Sequence, residues 1–162
     1  MPAPAAAHAR TSRTATDTGR RLVFAALTSL AGLAVLLQGV WAGLFIEYAD
    51  RPDHGHGWLD VHARGGEIAC LLALLATAWA LFRLRDRREL LIGAAALTVL
   101  LVLVAYVGGL ITDDSKDVLI PLHIPLALLA FGLTVGLAAR ALLARPHPHR
   151  TGGPDQPSRA VA

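Results

Sequence analysis

The sequence is short of two things, cysteine and charge. A single cysteine, Cys70, stands among 162 residues. It excludes an intramolecular disulfide and any C-x-x-C metal or redox motif, and its ordinary use is as a small buried residue. Only 17% of the residues are charged while 54% are hydrophobic, and the mean hydropathy is +0.51. A soluble domain of this length needs a polar skin that so few charges cannot supply. Also absent are a nucleophile–base set, a phosphate-cradling glycine loop and a nucleic-acid-binding motif, so the pI near 9.7 does not point to nucleic acid.

What charge there is avoids four stretches, 22–46, 68–82, 90–111 and 118–139. A helix crosses the roughly 30 Å apolar layer of a bilayer with about 20 residues. Three stretches reach that length alone, and the second does so when extended back to 61. The expectation is an all-α integral membrane bundle over 21–144, with helices at 22–46, 61–83, 90–111 and 118–142. The first apolar run, about 25 residues, exceeds the roughly 7–15 of a signal peptide and reads as a retained span. Residues 1–20 and 145–162, rich in Ala, Pro, Thr, Gly and Arg, read as disordered tails.

Basic residues give the expected orientation. Arg10, Arg13, Arg20 and Arg21 precede the first span. Arg83, Arg85, Arg87 and Arg88 lie between the second and third, and Arg140, Arg145, Arg150 and Arg159 follow the fourth. The other two links carry Glu47, Asp50, Asp53 and Asp60, then Asp113, Asp114 and Asp117. Both termini are therefore expected in the cytoplasm of a bacterium, with the bundle in the plasma membrane and its basic ends attracted to anionic lipid.

The two halves echo each other faintly. The first span ends "WAGLFIEYAD" and the third "VGGLITDDSK", and each is followed by a helix with a histidine near its start. Two tandem hairpins of this kind would be parallel repeats, although apolar helices also resemble one another by composition alone. Gly32, Gly39 and Gly43 share one face of the first helix, and the last two have the G-x-x-x-G spacing of close helix contacts. Glycine is also simply common in membrane helices.

Of seven histidines, only His62 and His123 belong to the spans. His62 lies about 21 residues before Arg83, or about 31 Å along a helix, and His123 about 17 before Arg140, or about 26 Å. Both rings are expected near the outer face, within a turn of one another in depth. Two neutral imidazoles from facing helices can hold one haem iron. Gly65 and Gly66 follow His62 by three and four positions and keep that helix face low. Arg64 is placed to pair with a haem propionate, and Gln38 and Trp41 sit at the same level of the first helix. The alternatives are interfacial histidines bonded to headgroup water, or proton or quinone chemistry; an ionisable group within a membrane is a functional candidate in each case. A weaker rival is the polar stretch "DRPDHGHGWLDVH", where His54 and His56, with Asp50, Asp53 and Asp60, offer N and O donors for Zn²⁺ or Cu²⁺.

With these residues in view, the chain resembles one four-helix half of haem A synthase. "AYVGGLIT" matches that family's G-G-L-T-like helix end, "HAR" at His62–Arg64 is similar to its His-Arg helix start, and "LHIPLALLAF" looks like its H-L-x-x-A-L start. The resemblance covers roughly residues 30–140. It implies a haem b held by His62 and His123, with electron transfer, haem handling or oxidase-assembly support as the role. A homodimer, or a membrane redox or assembly partner, would restore the eight helices of that enzyme. The chain departs from the family in having one half and Leu59 where the family has Glu. Asp60 and Glu67 are out of register, and the paired loop cysteines are missing. These departures argue against haem O oxidation by this chain alone. The Ala/Arg/Leu-rich make-up also resembles short four-helix membrane proteins of high-GC actinobacteria, which adds no mechanism. The alternative function is a non-enzymatic structural or accessory membrane protein with no cofactor, in which both histidines are interfacial.

Overall fold

A computed structural model of the chain describes residues 4–48, 50, 52–112 and 115–143. Four helices follow in order: α1 Pro4–Glu47, α2 Pro52–Arg83, α3 Arg88–Thr112 and α4 Ile120–Leu143, the last preceded by a 3-10 turn at Asp117–Leu119. All four are long and apolar enough to cross a membrane. The all-α membrane bundle read from the charge-free stretches is the fold, with α3 and α4 starting and ending within two residues of the expected bounds.

Two boundaries differ. The segment 1–20, expected as a disordered tail, is helical from Pro4 and continuous with α1. Its many Ala and Arg residues are strong helix formers, and a helix nucleated in the apolar span lengthens at the gain of one hydrogen bond per added residue. Likewise α2 starts at Pro52 rather than 61. Proline suits a first turn, where its missing N–H has no partner to lose, so most of the stretch read as an outer loop is helix. The expected tail at 145–162 lies outside the described residues.

The helices form an antiparallel ring. α1 packs on α2 and α4, α2 on α3, and α3 on α4, with no backbone contact across either diagonal. Lipid chains are as apolar as leucine, so burying large apolar side chains between membrane helices gains little; small residues and polar groups decide the contacts. α2 turns Ala69, Ala73, Ala76 and Ala80 into the core at helical spacing, while Leu71, Leu74, Val99 and Leu128 point outward to acyl chains. Gly32 of α1 is seated on Thr134 of α4, so closely that a Cβ there would lie 2.6 Å from Thr134 Oγ1. Thr77 and Thr98 join α2 to α3 through a 2.9 Å hydroxyl–hydroxyl hydrogen bond.

Short connections set the ends. At α2–α3, Arg87 N–H donates to the Leu84 carbonyl at 2.9 Å and Leu90 N–H to the Arg87 carbonyl at 3.0 Å, which turns the chain over four residues. At α3–α4, Ser115 takes a left-handed φ of 54°, and Lys116 N–H donates back to the Leu110 carbonyl at 3.2 Å, satisfying a carbonyl of the last α3 turn. The arginine-bearing end is closed by Arg21 of α1, whose Nη1 donates to the Ala141 carbonyl of α4 at 3.1 Å.

The Gly32–Thr134 seat yields a test. Gly32→Ala should lower the thermal unfolding midpoint in detergent, by about 1–3 kcal/mol of overpacking. Adding Thr134→Ala, which removes the clashing hydroxyl, should restore part of the loss; equal stability of the wild type and Gly32→Ala would contradict this packing.

Candidate functional site: a histidine pair across the bundle

The two diagonal helices, α2 and α4, meet through histidines. The His62 and His123 ring centroids are 6.5 Å apart with the planes tilted by 50°. The matched depth expected from counting residues thus becomes direct juxtaposition.

His62 is fixed from α1. Its Nδ1 lies 3.2 Å from the Gln38 carbonyl oxygen. The Gln38 side-chain amide nitrogen lies 3.1 Å from the same Nδ1 as a donor, so Nδ1 faces both an acceptor and a donor and finds a partner at Gln38 in either tautomer. The Gln38 amide, oriented to satisfy both its ends, donates to the His62 carbonyl at 2.7 Å and accepts from Gly66 N–H at 3.0 Å. Gln38 thereby brackets the turn of α2 that carries His62. Phe45, about two turns further along α1, meets the His62 ring edge-on with centroids 5.6 Å apart.

This approach of α1 requires glycine at 65. A Cβ on Gly65 would overlap the Trp41 ring and the Gln38 amide. The low face of Gly65, expected to leave room for a macrocycle, is filled by these two side chains. Gly66 is looser, with Gln38 Oε1 at 4.0 Å from its Cβ position. Arg64 is exposed.

His123 is held differently. Its ring lies against α3, where a Cβ on Gly108 would sit 3.1 Å from His123 Cε1. Its Nδ1 is buried and without a hydrogen-bond partner among the described residues; the Val104 carbonyl interacts with the ring but lies outside hydrogen-bond geometry. Pro125 is within α4, and because it has no N–H it cannot cap the Pro121 carbonyl one turn back. In the turn that carries His123 the Pro121 carbonyl therefore lacks its usual partner within the helix.

All four helices converge at this level: Gln38, Trp41 and Phe45 from α1, His62 and Gly65 from α2, Gly108 from α3 and His123 from α4. The chain matches no family model, no curated protein and no solved structure. Phe45 and Gly108 went unnoticed in the sequence as contacts. Gly108 opens the "GGL" step, but nothing in a single sequence says which of the two glycines faces a histidine. His54 and His56 lie in the first turns of α2, with side chains outside the described set. Among the described residues no three His, Cys, Asp or Glu side chains gather as a metal site.

Gly65→Ala should separate α1 from α2 at this level. The expected result is a loss of about 1–3 kcal/mol in unfolding stability with altered tryptophan emission from Trp41. Gly66→Ala, where there is space, should be close to neutral; the reverse order of the two variants would refute the seat.

Proposed function

We propose that this multi-pass membrane protein holds one haem b between His62 and His123, near the outer face of a bacterial plasma membrane, in electron transfer, haem handling or oxidase-assembly support. The observation that carries the reading is the ring spacing. With metal–nitrogen bonds of about 2.0–2.1 Å, as for zinc, and the ring centre a further ångström or so behind, two imidazoles facing each other across one metal would have centroids about 6.3 Å apart. The pair here stands at 6.5 Å. Gln38, whose backbone carbonyl lies 3.2 Å from His62 Nδ1, is the kind of outer partner that orients a ligating imidazole. His123, with Nδ1 unbonded, keeps the freedom to turn its ring about the Cβ–Cγ bond as a ligand demands.

When bound, haem supplies one-electron chemistry at a potential set by its axial ligands and their surroundings. The chain's own residues supply the rest. His62 and His123 would offer the nitrogens, Gln38 holds the turn that carries His62, and Phe45 packs against its ring. Arg64, exposed two residues on, is available to a propionate at the membrane surface. The resemblance to half of haem A synthase supports the same pair of ligands.

A second reading, an accessory membrane protein without a cofactor, rests on the filling of the Gly65 hollow by Trp41 and Gln38. The two readings separate on colour. Protein purified from haem-replete cells should show a low-spin Soret and α-band in reduced-minus-oxidised spectra, lost or altered in both His62→Ala and His123→Ala. A colourless wild type that folds would sink the haem reading.

The proposed orientation places the arginine-bearing end in the cytoplasm. The opposite links carry one described or neighbouring basic residue each, Arg51 and Lys116, beside their acidic residues. A reporter active only outside the cytoplasm should work when inserted after residue 115 and fail when fused after residue 150. Activity in the opposite pattern would invert the topology.

A further inference from the structure

Glu67 is out of place for a residue within a membrane span. It lies inside the span Gly57–Arg83 and is exposed, on the side of α2 opposite the core-facing Ala69, Ala73, Ala76 and Ala80. Its depth is marked by Trp79, whose Nε1 donates to the Arg20 carbonyl at 2.9 Å and whose ring centroid is 5.6 Å from the Arg83 guanidinium. A tryptophan with a bonded N–H and a cation beside it belongs at the headgroup boundary. Glu67 precedes Trp79 by 12 residues, or about 18 Å of helix. In an apolar layer about 30 Å thick, its carboxylate faces acyl chains about 12 Å from the far edge. Glutamate is too short to reach that edge, and an acid so placed is costly unless it is paired.

The counter-charge it needs stands one turn nearer the surface. Arg64 is exposed on the same side of α2, and because helical side chains lean toward the N-terminus, the Glu67 carboxylate rises toward its level. The salt bridges among the described residues join Asp17 to Arg21 and Arg87 and involve neither side chain. A pair closed within one helix would leave both charges in lipid, whereas a pair closed between helices covers them. The same side of α2 continues toward the arginine-bearing end as the exposed Leu71, Leu74 and Leu81, with Ala78 between the last two. Positions 64, 67, 71, 74, 78 and 81 advance in alternating steps of three and four, the spacing of a seam between two parallel helices. A helix seated there has to bring a cation to the depth of Glu67 and an anion to that of Arg64, which a second copy of α2 does.

We propose that this side of α2 is the interface of a homodimer in which Arg64 of each copy pairs with the partner's Glu67. Copies inserted in the same direction and related by a two-fold axis along the membrane normal bring their α2 helices together in parallel. The pairing is then made twice, above an apolar seam at Leu71, Leu74, Ala78 and Leu81. Asp60, one turn above Arg64, is near enough to the surface to be hydrated. The interface leaves the histidine pair as it is. It goes beyond the haem reading and touches it at one point, since it assigns Arg64 to the partner's Glu67 in place of a propionate.

The test uses the full-length protein in phospholipid vesicles, with dimerisation read by energy transfer between differently labelled copies at increasing dilution in lipid. The wild type should dimerise, and Arg64→Glu or Glu67→Arg alone should weaken the dimer about tenfold or more. Combining both reversals in one chain should restore it, and so should mixing the two single variants, each of which then brings one sign of charge. A monomeric wild type, single reversals without effect, or a combined reversal as weak as the single ones would overturn the proposal. Should a reversed chain fail to fold, oxidative crosslinking in native membranes decides. In a Cys70→Ala background, Leu74→Cys should form a covalent dimer and Val99→Cys, on the lipid side of α3, should not; equal yields from the two positions would refute the interface.

Discussion

Apolar side chains gain almost nothing by leaving acyl chains for one another, so this bundle cannot be held by the force that folds a soluble one. Its leucines and valines face outward in large number, and its core is built from Ala69, Ala73, Ala76 and Ala80 with a few larger residues between them. Such a core brings backbones near enough for dispersion and for a small set of polar contacts to matter. Gly32 on Thr134, the Thr77–Thr98 hydroxyl pair and Gln38 over Gly65 are those contacts. Each joins a different pair of neighbouring helices, and together they define which faces meet.

The polar inventory then divides by height. The middle of the bundle has hydroxyls that mostly return to their own helix, as Thr28 does to the Phe24 and Ala25 carbonyls. Ionisable groups occupy the two ends, imidazoles at one and guanidiniums at the other. At the histidine end the groups are neutral-capable and one nitrogen is pre-bonded, an arrangement suited to a neutral ligand set. At the arginine end Arg21 and Arg87 both pair with Asp17. The same four helices thus present different chemistry at the two ends of the bundle.

Much of this was legible in the sequence. The four spans follow from charge-free length, which is a direct consequence of what a bilayer tolerates, and the matched depth of His62 and His123 follows from the fixed rise of a helix. The 6.5 Å approach of the rings does not, because rotation of α2 against α4 is set by contacts that depth alone cannot predict. Gln38 and Trp41 were placed at the correct height as candidate lining, yet their actual use, filling the hollow at Gly65, needs the α1–α2 distance. The G-x-x-x-G spacing of Gly39 and Gly43 pointed to a close helix contact, whereas both face open space and Gly32 makes the contact instead. The buried state of Arg87 was hidden for a different reason: four arginines in six residues served only as an orientation signal, and the turn at Leu84–Arg87 folds one of them inward.

The ring order of the helices has a consequence for how the protein is made. Because α1 closes the ring against α4, Gly32 finds Thr134 and Arg21 finds the Ala141 carbonyl only after α4 has been made. About a hundred residues of chain separate those partners, and at roughly 5–20 residues per second that takes many seconds. The contact between α1 and α4 is therefore a late latch, closed only after both helices have left the ribosome.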